Sequence, residues 1–169
     1  MDSIYLISQL EKNASRIGAF VEGVSLEQAR WKPAPDSWSI LEVINHLYDE
    51  EREDFRAHLT TILITPSSGW NPIDPPGWVV TRRYNEREPG SSLHNFLTER
   101  KGSLDWLRNL HSPDWNATHQ APWGQIMAGD ILASWAAHDL LHMRQFVELH
   151  WAFLLEKGKP FDVSYAGAW

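Results

Sequence analysis

The sequence contains no cysteine. That absence removes a disulfide framework, a thiolate-ligated zinc site and a cysteine nucleophile together. Any thiol chemistry must therefore use a thiol carried in by a substrate or cosubstrate. Basic charge is also scarce: 15 Lys and Arg stand against 22 Asp and Glu, for a net charge of -7. No run of Lys or Arg makes a local basic footprint, so nucleic acid is not an expected partner. Apolar runs of membrane-spanning length are missing, and Met1-Asp2-Ser3-Ile4-Tyr5-Leu6 lacks the basic segment and long apolar stretch of a secretory signal. The expectation is a soluble, cytoplasmic protein with no membrane partner. Missing too are the G-x-S-x-G elbow, the Gly-rich phosphate loop, the H-E-x-x-H zincin pair and the Glu-x-x-His pairs of a carboxylate di-metal bundle.

What is present is helical patterning. With 169 residues the chain suits a single domain, residues 1–169, around one core. Ile7, Leu10, Ala14, Ile17, Val21 and Val24 recur at spacings of three and four, which predicts a helix over Ser3–Glu22. Ser25 to Gln28 offer a short capped turn before the prolines at 33 and 35. Ser39 with Glu42 makes a capping box, and Trp38 with Val43 a hydrophobic staple, opening a second helix from Ile40 to about Leu63. Residues 65–90 are dense in Pro and Gly, a stretch long enough to be either functional or packed as an ordered cover by Trp70, Trp78 and Tyr84. A third helix follows from a cap at Ser91 or Ser92 and ends before Ser112-Pro113. The fourth runs from about Asp130 to Glu156, about 40 Å at 1.5 Å per residue, and stops at Gly158 and Pro160. The aromatic tail, Phe161 to Trp169, is expected to fold back onto the bundle, and no strand pair is expected. The fold class is all-α, a four-helix bundle with long crossover connections.

Tryptophan is abundant, with 10 residues, and these read first as large core and capping side chains. Histidine is the more informative residue. His138 and His142 lie about 40° apart on one face of the fourth helix, together with Ile131, Trp135, Gln145, Phe146 and Leu149. Two readings are open. They are core histidines bonded to carbonyls or carboxylates, the commoner case for an isolated pair, or they share one metal ion. His46 lies at the edge of the second helix's apolar stripe, among Glu42, Glu50 and Glu53, and periodicity alone favours a surface position. His58, His94, His111, His119 and His150 have no partner at metal spacing.

Trp31-x-Pro33, then Trp38-Ser39-Ile40-x-Glu42-x-x-x-His46-Leu47, and about ninety residues later His138-Asp139-x-x-His142, together resemble the DinB-like (DinB/YfiT-type) superfamily of four-helix bundles. The match in layout spans nearly the whole chain. The resemblance implies that His46, His138 and His142 hold a divalent metal, commonly nickel or zinc, and that the protein is a homodimer. Members of the superfamily include transferases using low-molecular-weight thiols and proteins described as metal-dependent hydrolases. Three imidazoles would leave a coordination position open, as in a catalytic rather than a structural site. The expected activity is metal-assisted attack on a small-molecule substrate, by thiol transfer or hydrolysis, in a pocket lined by Trp135 and other aromatics. Glu50 and Asp139 are candidates to orient a ligand histidine or move a proton. The competing readings are a small-ligand-binding module or a dimerisation module in which any metal is incidental.

Overall fold

The computed structural model describes residues 1–169. Helix α1 (Ser3–Val21) is capped by Asp2, whose carboxylate accepts from the Tyr5 amide, and it ends near Gly23, which adopts a left-handed φ of 74°. A short α2 (Leu26–Arg30) is capped by Ser25. The second long helix starts at the expected capping box: Ser39 Oγ accepts from the Glu42 amide, and the Glu42 carboxylate accepts from the Ser39 amide. It is not uniformly α-helical. Helix α3 (Ile40–Asp49) widens into a π-helical segment over Glu50–Phe55 and resumes as α4 (Arg56–Leu63).

The Pro- and Gly-rich crossover is an ordered cover with its own short α5 (Pro75–Thr81). Asp74 caps it, and Tyr84 is wholly buried, its hydroxyl donating to Asp49. Helix α6 (Pro89–Arg108) begins before the expected serine caps. Proline suits a first helical turn because the amide it lacks has no partner there. Ser92 is instead buried, accepting from Asn45 Nδ2 at 2.9 Å.

The crossover after α6 corrects the expectation of no strands. Strands β1 (Thr118–Ala121) and β2 (Gly124–Met127) pair antiparallel, with Thr118 opposite Met127 and Ala121 opposite Gly124. The polar, four-residue strands carry little periodic signal. Pro122-Trp123 makes the turn, and Gly124 supplies the φ of 140° that follows it. The ladder continues through the Ala128 amide to Ala117 and the Gly129 amide to Trp115, delivering the chain to α7 (Ala128–Gly158).

Helix α1 packs on α6 and α7, and α3 packs on the same two from the opposite side. The resulting core falls into two apolar clusters. One contains Leu10, Phe55, Leu59, Leu104, Leu132 and Trp135, and the other Ile17, Ile44, Leu47, Phe96, Phe146 and Leu149. Along every long helix, polar residues separate the two: Asn13 on α1, His46 to Glu51 on the second helix, Arg100 on α6, and His138 to His142 on α7. A buried polar layer therefore crosses the bundle.

The tryptophans are core and capping side chains for the most part, as expected. Trp135 is fully buried, Trp38, Trp70, Trp106 and Trp115 are half-buried against the two clusters, and Trp123 and Trp169 are exposed. Trp169 stacks on Trp151 at 4.7 Å, but Phe161 and Tyr165 of the tail stand in solvent. No helix is long and apolar enough to cross a membrane. Removing the cap that starts the His46-bearing helix, by Ser39→Ala, is expected to lower stability by about 1–2 kcal/mol in urea unfolding, as cap deletions do. An unchanged midpoint would refute the importance of this helix start.

Candidate metal centre

Helices α3 and α7 bring His46, His138 and His142 together. Their Nε2 atoms form a triangle with sides of 3.0 Å (46 to 142), 3.1 Å (138 to 142) and 3.3 Å (46 to 138). His46, read from periodicity as a surface residue, is 4% exposed. The apolar stripe is interrupted there because the polar layer crosses the helix, so a polar residue marks the interior.

All three rings are held neutral. Burial drives the His46 pKa down to about 2, with the His142 and His138 charges adding to the effect. Burial and His142 bring His138 to about 3, and burial lowers His142. His142 Nδ1 lies 2.8 Å from Gln145 Oε1, which places the ring proton on Nδ1 and the lone pair on Nε2. Lone pairs aimed at one centre repel unless a cation lies among them. Three nitrogens about 2.0–2.1 Å from one ion would subtend mutual separations of about 3.0–3.4 Å at angles between about 94° and 109°. The donor set and its spacing fit a divalent transition metal, and this is the one group of His, Asp or Glu ligand atoms gathered closely enough to hold one.

The two carboxylate candidates have different surroundings. Glu50 is buried, and its Oε1 lies 3.7 Å from His46 Nδ1, both atoms lacking a hydrogen-bond partner. Burial, followed by the adjoining Asp54 carboxylate, pushes the Glu50 pKa up to about 9. Asp139 is bonded on both carboxylate oxygens, and its charge acts on His142. Arg100 grips both its oxygens, at 2.9 and 2.8 Å, and Asn13 donates to Oδ2 at 3.1 Å. The wall residue also differs from expectation. Trp135 stacks on Phe55 and donates to Glu51 at 2.7 Å. Trp38 instead lies edge-on to His46 and parallel to His142, at centroid distances of 4.9 and 6.4 Å. A cleft of about 620 Å³ opens beside His142, lined also by Trp38, Asp36, Gln145 and Glu148.

Sequence reasoning passed over a row of groups four residues apart, His46, Glu50, Asp54 and His58. Asp54 Oδ1 is 2.6 Å from His58 Nδ1, His58 Nε2 is 2.9 Å from the Asn71 carbonyl, and Trp70 stacks on the ring at 3.8 Å. The four-residue spacing was the available signal. His94 and His111 are exposed, and His150 is tied to the Phe20 carbonyl, so none of these joins the triangle.

Comparison with known proteins agrees with this architecture. The model of the DinB superfamily matches residues 9–146, and the chain belongs to that family. Among solved structures it is similar to YfiT from Bacillus subtilis, described as a probable metal-dependent hydrolase with an unusual four-helix bundle topology. That similarity has a TM-score of 0.77 at 19% identity and covers 87% of this chain and 85% of the other. It establishes the four-helix-bundle fold. No curated protein matches.

The titrations have opposite signs in the metal-free protein. The histidines are neutral when folded and take up protons on unfolding below the ordinary value of 6.5. Their stabilisation is complete above 6.5 and is lost as pH falls toward the folded values. Glu50 stays protonated to about 9 when folded, against 4.5 when unfolded, so its stabilisation is present below 4.5 and lost as pH rises toward 9. Thermal melts of metal-free protein are expected to give a maximum Tm near pH 6.5, with the alkaline decline flattened in Glu50→Gln. A variant that retains the full decline would remove Glu50 as its source.

Proposed function

We propose that the protein is a metal-dependent enzyme whose divalent transition metal, nickel or zinc, is held by His46, His138 and His142. Its reaction is transfer of a thiol to, or hydrolysis of, a small-molecule substrate. The observation that carries this reading is the convergence of three neutral Nε2 atoms in a half-dry site next to an open cleft. When bound, such an ion supplies a Lewis acid that makes a water or thiol nucleophilic near neutral pH.

The chain's own groups set the conditions for that chemistry. Gln145 holds the His142 ring in the tautomer that presents Nε2. Glu50 sits where a small movement lets Oε1 accept from His46 Nδ1, fixing that ring in turn. Trp38 covers His46 and His142 on the cleft side, which limits water and gives a flat apolar substrate a surface to lie against. The description of YfiT as a probable metal-dependent hydrolase supports the hydrolytic form of the reading. With no cysteine in the chain, the transferase form takes a low-molecular-weight thiol as cosubstrate. The proposed setting is cytoplasmic and the proposed assembly a homodimer.

The cleft also supports a second reading, a binding module for a small apolar ligand that uses Trp38 and needs no metal. Elemental analysis of untagged protein separates the two. About one nickel or zinc per chain is expected, lost in His46→Ala, His138→Ala and His142→Ala and kept in His94→Ala and His111→Ala. Metal-free protein that cannot be loaded, yet still binds ligand in the cleft, would overturn the enzyme reading in favour of the module.

A further inference from the structure

The guanidinium of Arg100 is enclosed at the centre of the polar layer, 1% exposed. Its Nε donates to Glu51 Oε1 at 2.7 Å, and its two terminal nitrogens clamp Asp139 at 2.9 and 2.8 Å. One of those nitrogens also donates to the Leu10 carbonyl at 2.9 Å. A single side chain on α6 thus fastens α1, the π-helical segment and α7. Its carboxylate partners are placed tellingly. Asp139 lies between His138 and His142 in sequence, and Glu51 directly follows Glu50, the residue beside His46. Trp135, one turn before His138, donates to the same Glu51 oxygen at 2.7 Å, and Asn13 adds a bond from α1 to Asp139.

We propose that Arg100 is a positioning residue for the three-histidine centre, setting the rotation and height of α7 against α3 so that the three Nε2 atoms converge. The inference rests on the metal reading above. It follows from the geometry of the links. His46 belongs to one helix and the other two ligands to another, so the triangle exists only while those helices keep their relative register. Apolar packing above and below the layer tolerates small sliding and rotation, because apolar contact is not directional. A planar fork gripping a carboxylate with two parallel bonds does not tolerate it. The π-helical winding belongs to the same device. It spans Glu50, whose Oε1 lies 3.7 Å from His46 Nδ1, and Glu51, which is bonded to Arg100.

The test is titration of metal-free protein with cobalt(II), read by its visible absorption, for wild type, Arg100→Met and Arg100→Lys. Circular dichroism and melting curves are recorded alongside. Arg100→Met removes the charge, whereas Arg100→Lys keeps it and loses only the fork. Both variants, at temperatures where they remain helical, are expected to bind cobalt at least about tenfold more weakly, the scale seen when a group orienting metal ligands is lost. Their visible bands should also shift or broaden. A merely structural role predicts a lower Tm with wild-type cobalt affinity and spectrum in the folded protein, and that result overturns the proposal. If Arg100→Met does not fold, Arg100→Lys alone decides, by the same criterion. Wild-type protein that takes up no cobalt would instead sink the metal reading itself.

Discussion

A buried charge must find partners, and in this bundle that requirement is met at one level. Arg100, Glu51 and Asp139 are all within 1% of complete burial, and they satisfy one another across three helices, with help from Asn13, Trp135 and the Leu10 carbonyl. Removing one member of such a group leaves the others charged in a dry interior, at a cost of about 3–5 kcal/mol. The register of the whole bundle is tied to that layer. The apolar clusters above and below it are interchangeable in kind, whereas the residues within it have specific partners.

The same layer contains the histidine triangle, and the two halves are not alike. The ion group around Arg100 is nearly closed, with Glu51 Oε2 its one side-chain atom left without a partner. The histidine half is open: His46 Nδ1 and Glu50 Oε1 are buried and unpartnered, and three Nε2 atoms face a common point. A satisfied ion group beside an unsatisfied cluster of three ring nitrogens is the contrast on which the proposed metal site rests. Trp38 and the cleft beside His142 then give that centre its access to solution.

Much of this was legible in the sequence where local chemistry determines structure. The Ser39–Glu42 capping box, the His138/His142 spacing and the Gly158 stop signal act within a turn of chain, and each appears where expected. The bundle itself follows from periodicity. What periodicity misplaced is the polar layer. His46 and Arg100 have the composition of surface residues, and nothing within either helix reveals that Glu51 and Asp139, far away in the chain, will enclose Arg100. The burial of Glu50 and Glu51 in the π-helical segment was hidden because two consecutive glutamates read as a solvent-facing pair, and the groups that enclose them come from other helices. The β1–β2 hairpin escaped for a different reason: its strands are short and polar, and their role is to lead the chain into α7. Membership of the DinB superfamily, carried by the combination of motifs, brought His46 to the site when its own helix argued otherwise.

The central claim is that three particular histidines share one ion, and ring-nitrogen NMR of the histidines tests it directly. The chain has eight histidines, and zinc is added to protein labelled with nitrogen-15. The account predicts that Nε2 of His46, His138 and His142 shift together at one equivalent, while the other rings stay in place. Unmoved resonances at these three, or a shift confined to other histidines, would contradict it.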